Sequence, residues 1–355
     1  MRVALVYDWV VKWGGAERVL LALHKIWPEA SLFTAVYNTQ SAFWAKEFKI
    51  IPSFLNKFPL AKIHHEFYAP LMPLALESFN FDNYDLVISV TSAMAKGIIT
   101  KPETRHICYC LTPTRFLWSG YKDYFDGRIL RRLTPPAVAY LRCWDKIAAQ
   151  RPDTFVAISK NVQKRIKKYY HRDAAVIYPP LDTKTFVIGD TEDVIRKNYF
   201  LVVSRLVKYK KTDLAIRAFN RLKLPLKIVG VGREMNKLKK IANKNIEFLG
   251  QLTDNQLLSY YQKCRAVIFP QEEDFGLVPL EAQSCGRPIV ACKAGGALET
   301  VIENKTGLFF EKQNEEELIA AIKKFEKLKF DPKDCRQNAL RFNQKEFEKK
   351  WSKII

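Results

Sequence analysis

Short apolar runs alternate with amphipathic stretches along nearly the whole chain, and this alternation limits the fold more than any other feature. A run of four to seven apolar residues is a buried strand. A following stretch of period 3.6 is a helix packed on it. Repeated, the pair builds parallel sheets with helices on both faces. RVALVY (2–7), SLFTAVY (31–37), YDLVISV (84–90), RHICYC (105–110), TFVAIS (154–159) and AAVIYP (174–179) are the expected strands of a first set. Helices are expected at 16–27, about 128–150 and 160–170.

After YPPLD (178–182) the periodicity fails and prolines appear, which marks a linker near 180–196. A second set of strands follows at 199–204, 225–230, 246–250, 266–270, 288–292 and 307–310. Its helices are expected near 211–222, 233–243, 254–263, 278–285, 296–303 and 314–328, and the final 336–354 reads as one charged amphipathic helix. The fold class is therefore α/β, with two doubly wound Rossmann-like domains facing an interdomain cleft. The first spans 1–185 and the second 186–335, with the 336–355 helix expected to pack back on the first. A length of 355 residues suits two such domains. Ligands of these sheets bind beyond the carboxyl ends of the strands.

Hydrophobic residues at 48% and charged residues at 27% exclude a disordered chain. The net charge of +21 favours phosphate-bearing ligands or an anionic membrane face, with a lysine-rich solvated surface as the plain alternative. No nucleic-acid module accompanies the charge, so nucleic acid is not an expected partner. The seven cysteines form no CxxC pair and no zinc-ligand spacing, and read as reduced thiols of a cytoplasmic protein. Asp8 interrupts the first apolar run, which reads as a strand and not a signal peptide. No run approaches ~18 apolar residues, so any membrane contact is peripheral.

Chemistry is concentrated in a few segments. In QEEDFGLVPLEAQSCGRPIVA (271–291), an apolar strand leads into a loop with Gly276 and then a helix holding Glu281. Free amides near Phe275, Gly276 and Leu277, at a helix N-terminus, favour an anion such as a diphosphate. Glu273 lies on the loop. Two carboxylates eight apart are in most proteins simply solvated, so the surrounding strand, glycine and helix carry the reading. In SRLVKYKKTDLAIRAF (204–219), Arg205 stands past a strand end, and Lys210 and Lys211 lead into a helix. Cations there can clamp a phosphate, or form a basic surface turn. Gly14 and Gly15 at the first strand-to-helix turn allow close approach of a ligand, or merely make the turn. Neither GGAER nor VGVGREM (229–235) completes the dinucleotide spacing, and no phosphate loop or D-x-D motif occurs. The charge of a leaving diphosphate would then fall to protein cations and helix amides, with no cofactor and no metal expected.

Together these segments resemble glycosyltransferase family 4, the retaining GT-B enzymes, over essentially the whole chain. Glu273-Asp274-Phe275-Gly276-Leu277-Val278-Pro279-Leu280-Glu281-Ala282 is similar to the family's E-G-F-G-L-x-x-L-E-A. Ser204-Arg205-Leu206 through Lys210 resembles its G-R-L-x-x-x-K-G, and Gly14-Gly15-Ala16-Glu17 its G-G-A-E. Gly295, Gly296 and Glu299 resemble its later G-G-x-x-E. HICYCLTPTRFLW and SRLVKYKKTDLAI look most like the mannosyltransferases of O-antigen and related polysaccharide assembly.

The resemblance implies that Arg205 and Lys210 hold the donor diphosphate and that Glu273 contacts the transferred sugar. It implies that Glu281 bonds the ribose, that Phe275 to Leu277 cap sugar and phosphates, and that Gly15 admits the donor. Gly230 and the stretch from Gly250 to Leu252 would border the nucleotide. The implied partners are a nucleotide sugar, GDP-mannose favoured over a UDP-sugar, and a glycan or polyprenyl-diphosphate-linked acceptor. A nucleotide-sugar 2-epimerase and a non-catalytic sugar-nucleotide binder are the alternatives. Two departures stand out: Lys211 replaces the usual glycine, and Leu111 stands where the family often has a histidine. His106, five residues earlier, is expected inside a strand.

Tyr109, Phe116, Trp118, Tyr121, Tyr124 and Phe125 cluster after a strand end, where they could stack on sugars or pack a core. Arg115 among them is a candidate acceptor or phosphate contact, with Trp118. Segment 127–151 and the aromatic, basic stretches of the first domain are expected to suit an anionic membrane face, or else to be core and solvated surface.

Overall fold

The computed structural model describes residues 1–121, 134–189 and 198–355. Tyr124, Phe125, the 127–133 part of the basic segment and most of the linker's second half lie outside these. The chain divides into two compact units, Met1–Tyr178 and Pro179–Ile355, and residues 336–355 fall within the second.

In the first unit seven parallel strands run in the order β3-β2-β1-β4-β5-β6-β7. They are β1 (Val3–Tyr7), β2 (Ser31–Thr34), β3 (Ile50–Pro52), β4 (Leu86–Thr91), β5 (Arg105–Cys110), β6 (Thr154–Ala157) and β7 (Ala174–Val176). Its longer helices are α1 (Gly15–Ile26), α2 (Met72–Glu77), α3 (Pro135–Ala148) and α4 (Lys160–Tyr170). Every residue of β1 is buried, because helices cover both faces of a parallel sheet. The SLFTAVY segment stops as a strand at Thr34 and makes only an isolated bridge beyond, between Tyr37 and Val10. Ser159 caps α4 by accepting from the Val162 amide at 3.0 Å.

The second unit repeats the plan with six parallel strands in the order β10-β9-β8-β11-β12-β13. They are β8 (Phe200–Val203), β9 (Leu226–Val229), β10 (Ile246–Gly250), β11 (Val267–Phe269), β12 (Ile289–Cys292) and β13 (Gly307–Phe310). Around them lie α5 (Thr212–Leu222), α6 (Met235–Ile241), α7 (Asp254–Lys263), α8 (Leu277–Ser284), α9 (Ala297–Thr300), α10 (Glu315–Glu326), α11 (Pro332–Leu340) and α12 (Gln344–Trp351). One core is centred on the ring of Phe200, edge-on to Phe219 at 5.2 Å and to Phe325 at 5.8 Å. The expected single terminal helix is two. Asn343 breaks it by accepting from the Glu346 amide at 3.0 Å, which starts α12 afresh, while the Phe342 carbonyl turns aside to accept from the Leu181 amide at 2.7 Å.

In both sheets the strand order reverses beside the first strand: between β1 and β4, and between β8 and β11. Loops at the carboxyl ends of those pairs are where such sheets bind ligands. All seven cysteines are free thiols. Among the described residues no helix is long and apolar enough to cross a membrane.

His106 sits inside β5 as expected, with Nε2 2.8 Å from the Ser89 hydroxyl. Complete burial, aided by the Arg151 and Arg172 charges, lowers its pKa to about 3 from 6.5. The unfolded imidazole takes its proton near 6.5 and the folded one only near 3. Stability from this site is therefore full above 6.5 and is lost as pH falls towards 3, at up to about 1.4 kcal/mol per pH unit. Urea titrations at about pH 7 and pH 5 are expected to show a shallower pH dependence in His106→Asn than in the wild type.

Candidate functional site

Two loops meet at the strand-order reversal of the second unit. The loop after β8 carries Arg205 and Lys210, and the loop after β11 carries Glu273. Lys210 Nζ is ion-paired with Glu273 Oε1, and both side chains are largely buried, at 11% and 19% exposed. Lys210 also stands 5.1 Å from the centroid of the Tyr209 ring. Arg205 Nη2 donates to the Tyr209 hydroxyl at 2.6 Å, while the arginine itself remains exposed. The sequence-predicted cations and Glu273 are thus brought together, with Tyr209 as an added partner that nothing in the sequence marked.

Glycines set how closely these loops approach. Gly230 has φ +130°, and a β-carbon there would lie 1.9 Å from the Ser204 carbonyl oxygen. Its amide donates to the Gly250 carbonyl at 2.7 Å. Gly230 therefore seats the β9 loop against the backbone just before Arg205. Gly250 has φ +70° with open space where a β-carbon would go, and Leu252 beyond it is half-buried. On the other side, the Gly296 amide donates to the Glu273 carbonyl at 2.8 Å. A β-carbon on Gly296 would lie 2.2 Å from the Phe275 carbonyl oxygen. Gly296→Ala must displace the backbone at Phe275, next to Glu273. It is expected to cost about 1–3 kcal/mol of stability in urea unfolding and to weaken nucleotide binding by calorimetry.

Gly276 is the N-cap of α8 with φ +90°, which glycine tolerates best. Leu277 opens the helix, and Phe275 is buried, its ring 5.7 Å from Phe342. Glu281, one turn in, is 5% exposed and accepts from the Tyr261 hydroxyl of α7 at 2.8 Å. Glu273 and Glu281 are therefore held by different partners, one by a cation and one by a phenol. Lys211 has φ +53° at the start of α5. A left-handed backbone explains why a glycine would be at ease at this position.

In the first unit, Gly14 caps α1 and Gly15 is its first residue. The preceding loop is pinned by Trp44, whose Nε1 donates to the Lys12 carbonyl at 2.7 Å. Asp8, just past β1 and 1% exposed, is saturated by the turn after β4. Its oxygens accept from the amides of Ser92, Ala93, Met94 and Ala95 at 2.7–3.0 Å and from the Thr91 hydroxyl at 2.8 Å. Leu111 is a buried side chain whose amide donates to the Thr91 carbonyl at 2.8 Å.

The loop after β5 is anchored by a second buried node. Lys96 Nζ lies 2.5 Å from Asp145 Oδ1, and both are almost completely enclosed. Thr114 Oγ1 donates to the same oxygen at 2.7 Å, and Trp118 Nε1 to Oδ2 at 2.7 Å. The Trp118 ring stacks on Tyr169 at 5.2 Å, with the Arg142 and Lys146 cations over it at 5.7 and 5.6 Å. Trp118 is thus tied into packing, and Arg115 beside it is half-buried. A separate cavity of about 490 Å³, lined by Arg265, Arg287 and Phe330, opens at the amino ends of β8, β11 and β12, the edge opposite Glu273.

The elements that hold Arg205, Lys210, Glu273 and Glu281 all fall in one matched segment. Residues 190–342 match the family model of glycosyl transferases group 1. An uncharacterized glycosyltransferase of Methanocaldococcus jannaschii is 29% identical over 221 residues, 60% of each chain. The O-antigen chain mannosyltransferase C of Escherichia coli is 25% identical over 209 residues, 55% of this chain and 54% of that one. The chain thus spans little more than half the length of the curated relatives it matches. Among solved structures, HepE of Anabaena in complex with UDP and glucose superposes with a TM-score of 0.72 at 18% identity, over 99% of this chain and 98% of that one. The fold is GT-B.

Proposed function

We propose that this chain is a retaining, metal-independent glycosyltransferase. It moves a hexose, mannose from GDP-mannose, to a glycan or polyprenyl-diphosphate-linked glycan acceptor in surface-polysaccharide assembly. The observation that carries this reading is the Lys210–Glu273 pair beside Arg205, at the strand-order reversal of a group 1 domain. Kinship with an O-antigen mannosyltransferase supports mannose. A UDP-sugar donor is the second reading, supported by the UDP bound to HepE.

In the proposed reaction the donor diphosphate takes the Lys210 ammonium over from Glu273, and the released carboxylate turns to the sugar hydroxyls. Glu281 orients the ribose, and the amides of Phe275 to Leu277 receive phosphate oxygens. The bond from the anomeric carbon to the diphosphate breaks, and the acceptor oxygen bonds to the same face. The leaving phosphate takes the acceptor's proton, so no enzymic base is needed. Arg205 and Lys210 stabilise the charge that grows on the diphosphate. In this reading Gly14 and Gly15 are assigned to the donor, and Arg115 and Trp118 to the acceptor.

Thermal-shift screening with GDP, UDP, GDP-mannose and UDP-glucose tests the donor. The right nucleotide at about a hundredfold excess over Kd adds about 2.7 kcal/mol, raising the second unit's transition by roughly 5–10 °C. No shift with any of the four removes the proposal. Product release in EDTA, followed by NMR of the new anomeric centre, tests metal independence and retention. Donor epimerisation without transfer would favour the epimerase instead.

A further inference from the structure

The described surface has one concentration of exposed apolar side chains, far in sequence from the glycosyl transferases group 1 segment. Within 58–74, Phe58, Leu60, Ile63, Phe67, Leu71 and Leu74 all face solvent, with Leu60, Ile63 and Phe67 at 63%, 65% and 75% exposure. Single exposed leucines are ordinary; a cluster of this kind on one short stretch is not.

The stretch is also ordered to present them. Leu60 has φ +56°, a left-handed conformation that a leucine rarely adopts. Its carbonyl accepts from the Ile63 amide at 3.0 Å and the His64 amide at 2.8 Å, which fixes the turn. The Phe58 ring sits edge-on to Tyr68 at 5.6 Å, and the Tyr68 hydroxyl donates to the Pro59 carbonyl at 2.7 Å. The short turns Phe54–Lys57 and His65–Leu71 both pack on α2, whose Met72, Ala75 and Leu76 are buried while its Leu74, and Leu71 just before it, are exposed. Strained backbone that holds greasy side chains in water marks a binding element.

We infer that the 58–74 face docks the protein onto an anionic lipid bilayer. Charge selects this occupant. Lys57 and Lys62 are exposed on either side of Leu60, Glu66 is the one acidic residue from 54 to 74, and the chain carries +21. A second copy would bring the same positive charge against it, whereas an anionic surface attracts the lysines while the apolar tips enter the acyl boundary. The inference stands on this surface alone and does not depend on the transferase reading.

Flotation of the full chain tests it, with vesicles of phosphatidylcholine against an equal mixture of phosphatidylcholine and phosphatidylglycerol. Binding is expected on the mixture and weak on phosphatidylcholine. The combined variant Leu60→Ser, Ile63→Ser and Phe67→Ser is expected to lower the apparent partition coefficient by at least about tenfold at an unchanged thermal midpoint. Lys57→Gln with Lys62→Gln should weaken binding and flatten its salt dependence. Ile241→Ser with Leu328→Ser, exposed apolar residues of the second unit, should leave it unaltered. Wild-type protein that does not float, or a triple serine variant that floats fully, overturns the inference. So does lipid-free self-association, seen by sedimentation, that the triple variant abolishes.

Discussion

Arg205→Ala is expected to lower nucleoside-diphosphate release by about two to three orders of magnitude with the thermal midpoint within about 1 °C of wild type. The two halves of this expectation have separate grounds. Arg205 is exposed, and its side chain donates to the hydroxyl of neighbouring Tyr209, so folding draws little from it. Its position past β8, the strand that pairs with β11, puts its charge where the diphosphate would leave in the proposed reaction. Lys210→Ala should lose comparable turnover but also some stability, because it strips a largely buried Glu273 of its cation. Steady-state product release and differential scanning fluorimetry on both variants separate the cases. Arg205→Ala protein that turns over within threefold of wild type would show that the diphosphate does not use this loop.

Lys96→Met should have the largest effect on stability, a loss of about 3–5 kcal/mol confined to the first unit. The carboxylate of Asp145 is almost fully enclosed and would keep only the Thr114 hydroxyl and the Trp118 indole as donors. Six of the seven tryptophans lie between 1 and 178, with only Trp351 beyond, so tryptophan fluorescence in urea follows mainly this unit. The double variant Lys96→Met with Asp145→Leu should recover part of the loss. It buries no lone charge, and Thr114 retains the Ala93 carbonyl at 2.7 Å as an acceptor. A single variant as stable as wild type would mean that the pair contributes nothing net.

What could be read from the sequence was local, and what could not was set by partners distant in the chain. RHICYC and IEFLG are strands with the expected limits, because each is an apolar run closed by its own breakers. β3 escaped notice: three residues at a sheet edge, ended by Pro52, give no period to find. In the site, Arg205, Lys210, Glu273 and Gly276 were legible because strand, loop and helix follow one another within each segment. That Lys210 closes on Glu273 was not, since 62 intervening residues carry no sign of it. Gly230 read as a ligand-side glycine, yet its first demand is to clear the Ser204 carbonyl. Lys96 and Asp145 stood in unremarkable surroundings, and only folding reveals that they neutralise each other.

The saturated carboxylate of Asp8 makes the two sheets chemically unlike despite their common strand order. At the reversal between β1 and β4, the row of amides that could have greeted a phosphate already embraces an anion of the chain's own making. The corresponding place between β8 and β11 offers cations instead. Two sheets of one strand order thus differ in what their reversal points hold: a carboxylate ringed by amides in the first unit, a lysine–glutamate pair in the second.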